Sequence, residues 1–173
     1  MEDLQYPLGR YEPRILDPPG RALLIRQIET LPEVLLAAVG GLRMEQLDTP
    51  YRPGGWTVRR VVHHLADSHM QAFGRFKLAL TEDAPRVKAY DEKKWAETAD
   101  VLGADTGHSI HILAGLHSRL SALLRSLGEK DFTRTINHPE RGVMSLDDLL
   151  GLYAWHGRHH AAQITSLRER MGW

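Results

Sequence analysis

The sequence predicts an all-α protein: a four-helix bundle with an extended N-terminal arm and a long loop between its second and third helices. Three observations carry that expectation. Four stretches repeat apolar residues at helical spacing, no stretch sustains the period-2 alternation of a half-buried strand, and the intervening segments hold most of the Pro and Gly. The chain has 173 residues, close to the usual size of one domain, and nothing in it reads as a linker, so residues 1–173 are expected to form a single domain.

The opening, to about Gly20, is rich in Pro and Gly and is expected to lie as an extended arm over the body. Leu23, Leu24, Ile28, Leu31, Leu35 and Val39 then mark the first helix, with a kink or restart expected at Pro32 and an end at Gly40 and Gly41. Residues 47–56 contain Pro50, Pro53, Gly54 and Gly55 and read as a loop. Thr57 is a suitable N-cap for the second helix, whose main stripe is Val58, Val62, Leu65, Phe73, Phe76 and Leu80. Residues 81–105 are mixed and polar, a long connection with room for one short helix; connections of that length often serve as the lid or wall of a site. The third helix runs from about Thr106, with Ile110, Leu113, Leu120, Leu124 and Leu127 inward, His117 in line with them, and Gly128 as its stop. Residues 129–144, with Asn137, His138, Pro139 and Gly142, form a turn region. Ser145 and Asp148 then make a capping box for the fourth helix, whose inward face is Leu146, Leu149, Leu150, Tyr153, Ile164, Leu167 and Met171. Four such helices with one core suggest an antiparallel-type bundle.

Composition excludes several functions. Lys plus Arg number 22 against 22 Asp plus Glu, with no basic excess to track a nucleic-acid backbone. Zero Cys removes disulfides, thiolate ligands and a Cys nucleophile. No apolar run approaches the ~20 residues of a membrane span, and the opening MEDLQYPLGRYEP lacks the pattern of a signal peptide, so a cytoplasmic protein is expected. Histidine is the outlier: ten copies, clustered at His63, His64 and His69 and again at His156, His159 and His160.

On the fourth helix His156 and His160 stand where a bundle helix would carry Leu. Residues at i and i+4 are separated by roughly 40° and about 6 Å of rise, so two imidazoles there can share one ion. Burying both unpaired would be costly, because each ring carries two polar nitrogens. The alternative is a pair of core histidines bonded to backbone or water. Gly157 and Arg158 follow His156, so the Glu of the HExxH zinc-protease pattern is missing. His159 points off this face, to solvent or to the surroundings of the site. A catalytic centre typically needs a third protein ligand, and spacing leaves His64 and His69 on the second helix as equal candidates, with His63 behind them.

The segment Pro50 to His69, PYRPGGWTVRRVVHHLADSH, followed by Arg75-Phe76-Lys77 and Tyr90-Asp91-Glu92, is similar to the YfiT group of the DinB-like superfamily. The tail from Gly151 through His160 and the ending Met171-Gly172-Trp173 resemble the same group, as does the opening Tyr6-Pro7. The resemblance implies a four-helix bundle whose metal is held by three histidines. One is the His of the Trp-Thr…His-Leu motif, here His64, and the others form the C-terminal HxxxH, here His156 and His160. It also implies a homodimer, one divalent metal per subunit (zinc first, nickel second), and metal-dependent hydrolysis. Part of the superfamily transfers thiols such as bacillithiol or mycothiol, which makes metal-dependent S-transfer the alternative activity.

A neutral three-His set leaves the full +2 charge on the ion, which acidifies a bound water, to a pKa of about 7 for zinc, and so supplies a nucleophile for a small-molecule substrate. The same open position could lower the pKa of a low-molecular-weight thiol. Candidates to orient the ligands are Asp67 and His69 near His64, and Gln163, His159 and Tyr153 near the HxxxH. Arg59, Arg60 and Arg75 either meet an anionic substrate or form a solvated helix face, and Trp56 and Trp155 either wall a pocket or belong to the core. A non-catalytic reading, a metal clamp or sensor tying two helices together, stands beside the enzyme. Nucleic acid and membrane are not expected partners.

Overall fold

Asp17 opens the first long helix, its side chain accepting a hydrogen bond from the Gly20 N–H at 2.8 Å, with Pro18 at the first position where a missing N–H costs nothing. In the computed structural model, which describes residues 4–173, this helix, α1 (Pro18–Val39), runs unbroken through Pro32. The expected restart does not occur. Pro32 is buried against the bundle, and its ring instead deletes the N–H that would have bonded the Ile28 carbonyl. The arm is extended up to residue 17 as expected; its first three residues lie outside the described residues.

A one-turn helix, α2 (Met44–Leu47), interrupts the connection that leads to α3 (Val58–Thr81), which Thr57 caps by accepting from the Arg60 N–H at 3.2 Å. The long connection after α3 carries two short helices, α4 (Glu92–Trp95) and α5 (Ala99–Gly103), rather than one. Asp105 caps α6 (Thr106–Arg125), which stops short of Gly128. The expected turn region is more ordered than its sequence indicates. It holds α7 (Glu129–Phe132) and an antiparallel pair, β1 (Thr135–His138) and β2 (Gly142–Ser145), in the register Thr135↔Ser145 to His138↔Gly142. The fold is thus mostly helical with a small two-stranded sheet. Four-residue strands are too short to show alternation in the sequence. Ser145 and Asp148 close the expected capping box on α8 (Leu146–Met171), bonding each other's backbone N–H at 3.1 and 2.8 Å. Met171, expected inward, is half exposed at the last turn.

The four long helices form the bundle, but their neighbours are not those of consecutive hairpins. Helix α1 packs chiefly against α6 and α8, and so does α3, which leaves α1 diagonal to α3 and α6 diagonal to α8. Among the described residues no helix is long and apolar enough to cross a membrane.

The buried apolar residues fall into two clusters. One is built on Ile28, Phe76, Leu120, Leu124, Leu149 and Leu150; the other on Leu35, Val62, Leu65, Leu113, Ile164 and Leu167. On each of α3, α6 and α8 the gap between the two is filled by histidine: His69, His117, and the His156–His160 turn. A layer of imidazoles therefore crosses the waist of the bundle.

Gly157 lies in that layer, facing Leu31 of α1. A methyl placed there would stand 3.2 Å from Leu31 Cδ1, 3.3 Å from its Cγ and closer still to its Cδ2. Leu31 is itself buried and has no free direction in which to move. Gly157→Ala should therefore be net destabilising by about 1–2 kcal/mol, despite the better helix propensity of Ala, because overpacking a core costs more than that gain. Thermal unfolding of the variant should show a melting temperature lower by several degrees; an equal or higher value would mean that the two helices are not in contact here.

Candidate metal centre

Helices α3 and α8, neighbours in the bundle, each bring imidazole to the same point. His64 lies two turns into α3, and His156 and His160 stand one turn apart on α8. One ring nitrogen from each of the three lies within 4.8 Å of the others, and His64 Nε2 and His156 Nε2 are 3.2 Å apart. Two imidazoles bound at 2.0–2.1 Å to one tetrahedral ion would stand about 3.3 Å apart. The donor set therefore fits a single divalent ion. Among the described residues no carboxylate joins the group as a fourth ligand.

On α8 the nitrogens that face away from this point are also in use. His160 Nδ1 donates to Gln163 Oε1 at 2.8 Å. That orientation of Gln163 is fixed by its amide N–H groups, which donate to the Gln5 carbonyl at 2.9 Å and to His159 Nε2 at 3.1 Å. His156 Nδ1 is 3.3 Å from His69 Nε2, and His69 Nδ1 is 2.9 Å from His117 Nε2. The outward N–H of both ligands on α8 is thus held by a partner, which leaves each Nε2 lone pair aimed at the shared point. Trp56 closes one side, its ring 4.8 Å from that of His64. His64 is buried, whereas His156 and His160 are half-buried, so the cluster borders solvent at its mouth.

Desolvation keeps these rings neutral. Burial lowers His64 to about 4, and it pushes His156 and His160 well below the usual histidine value, with neighbouring imidazoles adding to the effect. His69 is driven down by burial and by His117, and His117 itself falls to about 4. Neutral imidazole is the form that binds a metal, so no ligand need shed a proton at pH 7.

The sequence-predicted residues divide clearly. His64, His156 and His160 are brought together. Of the two α3 histidines that spacing left equal, His69 stands behind His156 with its Nε2 on the far side of that ring, and is not one of the converging nitrogens. Gln163 contacts His160 as expected of an orienting residue. His159 is buried, not solvated: it stacks on Trp155 at 4.5 Å and meets Gln163. Tyr153 sets its ring edge-on to His69 and accepts from Arg75 at 2.6 Å. Asp67 makes no hydrogen bond to the three converging imidazoles; burial and the nearby Asp100 raise its carboxyl to about 6. Arg59 pairs with Asp48 and Arg60 with Glu97, so neither is free for a substrate. His63 bonds Ser109 and the Ala104 carbonyl and ties α3 to its neighbours. Two participants were not foreseen. His117 was visible only as a break in an apolar stripe, and Gln5 acts through its backbone carbonyl, which no side-chain pattern can announce.

Residues 27–164 match the family model of the DinB superfamily. The chain is 49% identical to YfiT of Bacillus subtilis (strain 168) over 99% of this chain and 97% of that protein. It is 51% identical to a Bacillus mycoides (strain KBAB4) protein over the full length of both. Both relatives carry the provisional name of metal-dependent hydrolase. The solved structure of Bacillus subtilis YfiT, described as a probable metal-dependent hydrolase with an unusual four-helix bundle topology, superposes with a TM-score of 0.96 at 48% identity and 99% coverage of both chains. The structure of TT2238, a four-helix bundle protein, matches at a TM-score of 0.56 and 17% identity over 88% of this chain, a likeness of fold.

Two outcomes are expected. Replacing His156 or His160 by Ala should abolish stoichiometric metal binding while circular dichroism still reports a folded bundle; metal retained in both variants would contradict the geometry. The metal-free protein should also be acid-sensitive. Each buried imidazole binds its proton at lower pH in the folded chain than in the unfolded one, near 6.5, so the unfolded state takes up more protons as the pH falls. Stability is then complete above about pH 6.5 and declines toward pH 4, by about 3 kcal/mol for an imidazole displaced as far as His64. Melting temperatures across that window should fall, and a flat profile would show that the rings are not desolvated.

Proposed function

This chain belongs to the DinB superfamily, and from that premise we propose that it is a metal-dependent hydrolase acting on a small molecule at one divalent ion held by His64, His156 and His160. The observation that carries the reading is the set of three neutral imidazoles whose donor nitrogens converge while their outer nitrogens on α8 are held by Gln163 and His69. Structural zinc sites are normally closed by four ligands, often with Cys; a three-ligand set at a half-buried mouth is the arrangement that leaves a position for water or substrate.

With three uncharged ligands a divalent ion keeps its full charge, and there it would lower the pKa of water and polarise a substrate carbonyl. The protein supplies the rest. Gln163 and His69 hold the ligand rings in one orientation and one tautomer, Trp56 walls the site, and the apolar clusters on either side keep bulk water from the donor nitrogens. We take the ion to be zinc, with nickel as the second choice, and the working protein to be a cytoplasmic homodimer that binds neither nucleic acid nor membrane.

The test begins with the metal content of the purified chain, followed by assay of the zinc- and nickel-loaded protein on activated esters and amides. Hydrolysis that is lost on chelation, restored by the ion and reduced at least a hundredfold in His160→Ala is the expected result. A thiolate-to-metal charge-transfer band when bacillithiol is added to the cobalt-substituted protein, with thiol conjugation outpacing hydrolysis, would replace hydrolysis by S-transfer. A chain that binds no divalent ion would overturn both activities.

A further inference from the structure

Behind His156 the imidazole layer has a direction. Taking His156 as a ligand through Nε2, a step that rests on the reading above, its proton sits on Nδ1 and is donated to His69 Nε2, 3.3 Å away. His69 Nε2 must then carry a lone pair, which puts the only proton of that neutral ring on Nδ1. That nitrogen stands 2.9 Å from His117 Nε2, which must accept in turn. The proton of His117 is therefore also on Nδ1. This atom is buried and has no hydrogen-bond partner among the described residues. The backbone group that acts on the ring is the carbonyl of Ile28 in α1.

Ile28 is not an arbitrary carbonyl. In a helix it would accept from the N–H of the residue four positions on, and that residue is Pro32, which has none. Pro32 thus exposes one backbone acceptor inside the bundle, at the level where both apolar clusters give way to histidine. An acceptor deprived of its partner in the interior is costly unless another donor reaches it, and His117 is the donor available.

We propose that His69 and His117 are positioning residues that form a one-way chain of neutral imidazoles, from His156 through both rings to the Ile28 carbonyl bared by Pro32, and that this chain fixes the ligating tautomer of His156. The chain links all of the layer's contributors: α8 at the ligand, α3 at His69, α6 at His117 and α1 at its end. In water neutral histidine prefers its proton on Nε2. The chain imposes the opposite tautomer on three consecutive rings, a spectroscopic signature that mere packing would not produce.

The experiment uses the full-length zinc-loaded protein. Two-bond nitrogen–proton correlation spectra of the uniformly 15N-labelled wild type should show His69 and His117 protonated at Nδ1. Zinc affinity, measured by competition with a chromogenic chelator, should weaken by about tenfold to a hundredfold in His117→Leu, the range expected when the support of a metal ligand is removed. His117→Gln should recover most of that loss, because its carboxamide can accept from His69 and donate to Ile28. A proton on Nε2 of either ring in the loaded wild type would overturn the proposal even if His117→Leu failed to fold. So would a folded His117→Leu protein with unchanged zinc affinity. Wild-type protein that binds no zinc would instead remove the metal centre itself, and the chain's role with it.

Discussion

The rest of this structure depends on a polar layer buried in an apolar bundle. Each imidazole in it carries two nitrogens that water would otherwise satisfy, and a buried unpaired polar group costs on the order of 1–3 kcal/mol. His69 and His117 are fully buried, and His64 and His159 nearly so. The fold meets most of that demand by making the rings one another's partners and by recruiting Gln163 and the Gln5 carbonyl from the arm; His117 Nδ1 is left facing the proposed acceptor on α1. At the mouth that network leaves three nitrogens pointing at one spot, the demand that a divalent ion would meet. Several apparently unrelated features follow from the layer. Gly157 lets α8 lie against α1, Pro32 provides an acceptor, and the arm crosses α8 to reach Gln163.

Charge is distributed to match. Guanidinium groups meet carboxylates near the helix ends and connections: Arg21 with Asp147, Arg59 with Asp48, Arg60 with Glu97. Among the described residues the waist has no such pairing. Its donors are neutral, and the nearest buried cation, Arg75, is held by the Tyr153 hydroxyl and the Lys88 carbonyl. A positive ion placed here keeps its charge for chemistry, since no ligand carboxylate neutralises it.

The legibility of the site in the sequence varied with the kind of contact involved. The four long helices could be read because amphipathic spacing over twenty residues is a strong local signal, and the capping box at Ser145 is local too. His156 and His160 were legible for the same reason, as two polar residues at i and i+4 on an apolar stripe. His64 against His69 was not, because both face the layer from one helix and only the tertiary arrangement decides which ring turns its nitrogen toward α8; the family resemblance favoured His64. The restart that Pro32 suggests does not occur, since local rules cannot see that packing on both sides holds the helix together across it. The hairpin at Thr135–Ser145 and the short helices escaped notice because four residues carry too little periodicity. Gln5 could not be found at all, as the atom that matters belongs to the backbone.

The diagonal placement of consecutive helices bears on how the molecule comes to be folded. In an up-and-down bundle each helix can zip against the next as it forms, so contacts are local and assembly is fast. Here only α3 and α6 are both consecutive long helices and neighbours, and α1 must wait for α6 and α8 from later in the chain. The rings of His64 and His156 meet across 92 residues of sequence. Closing segments of that length before any favourable contact is made raises the contact order and slows the search. In the unfolded chain only His156 and His160 are close enough to hold an ion as a pair. The third ligand arrives with the finished bundle, so firm capture of the metal reports completion of the fold rather than initiating it.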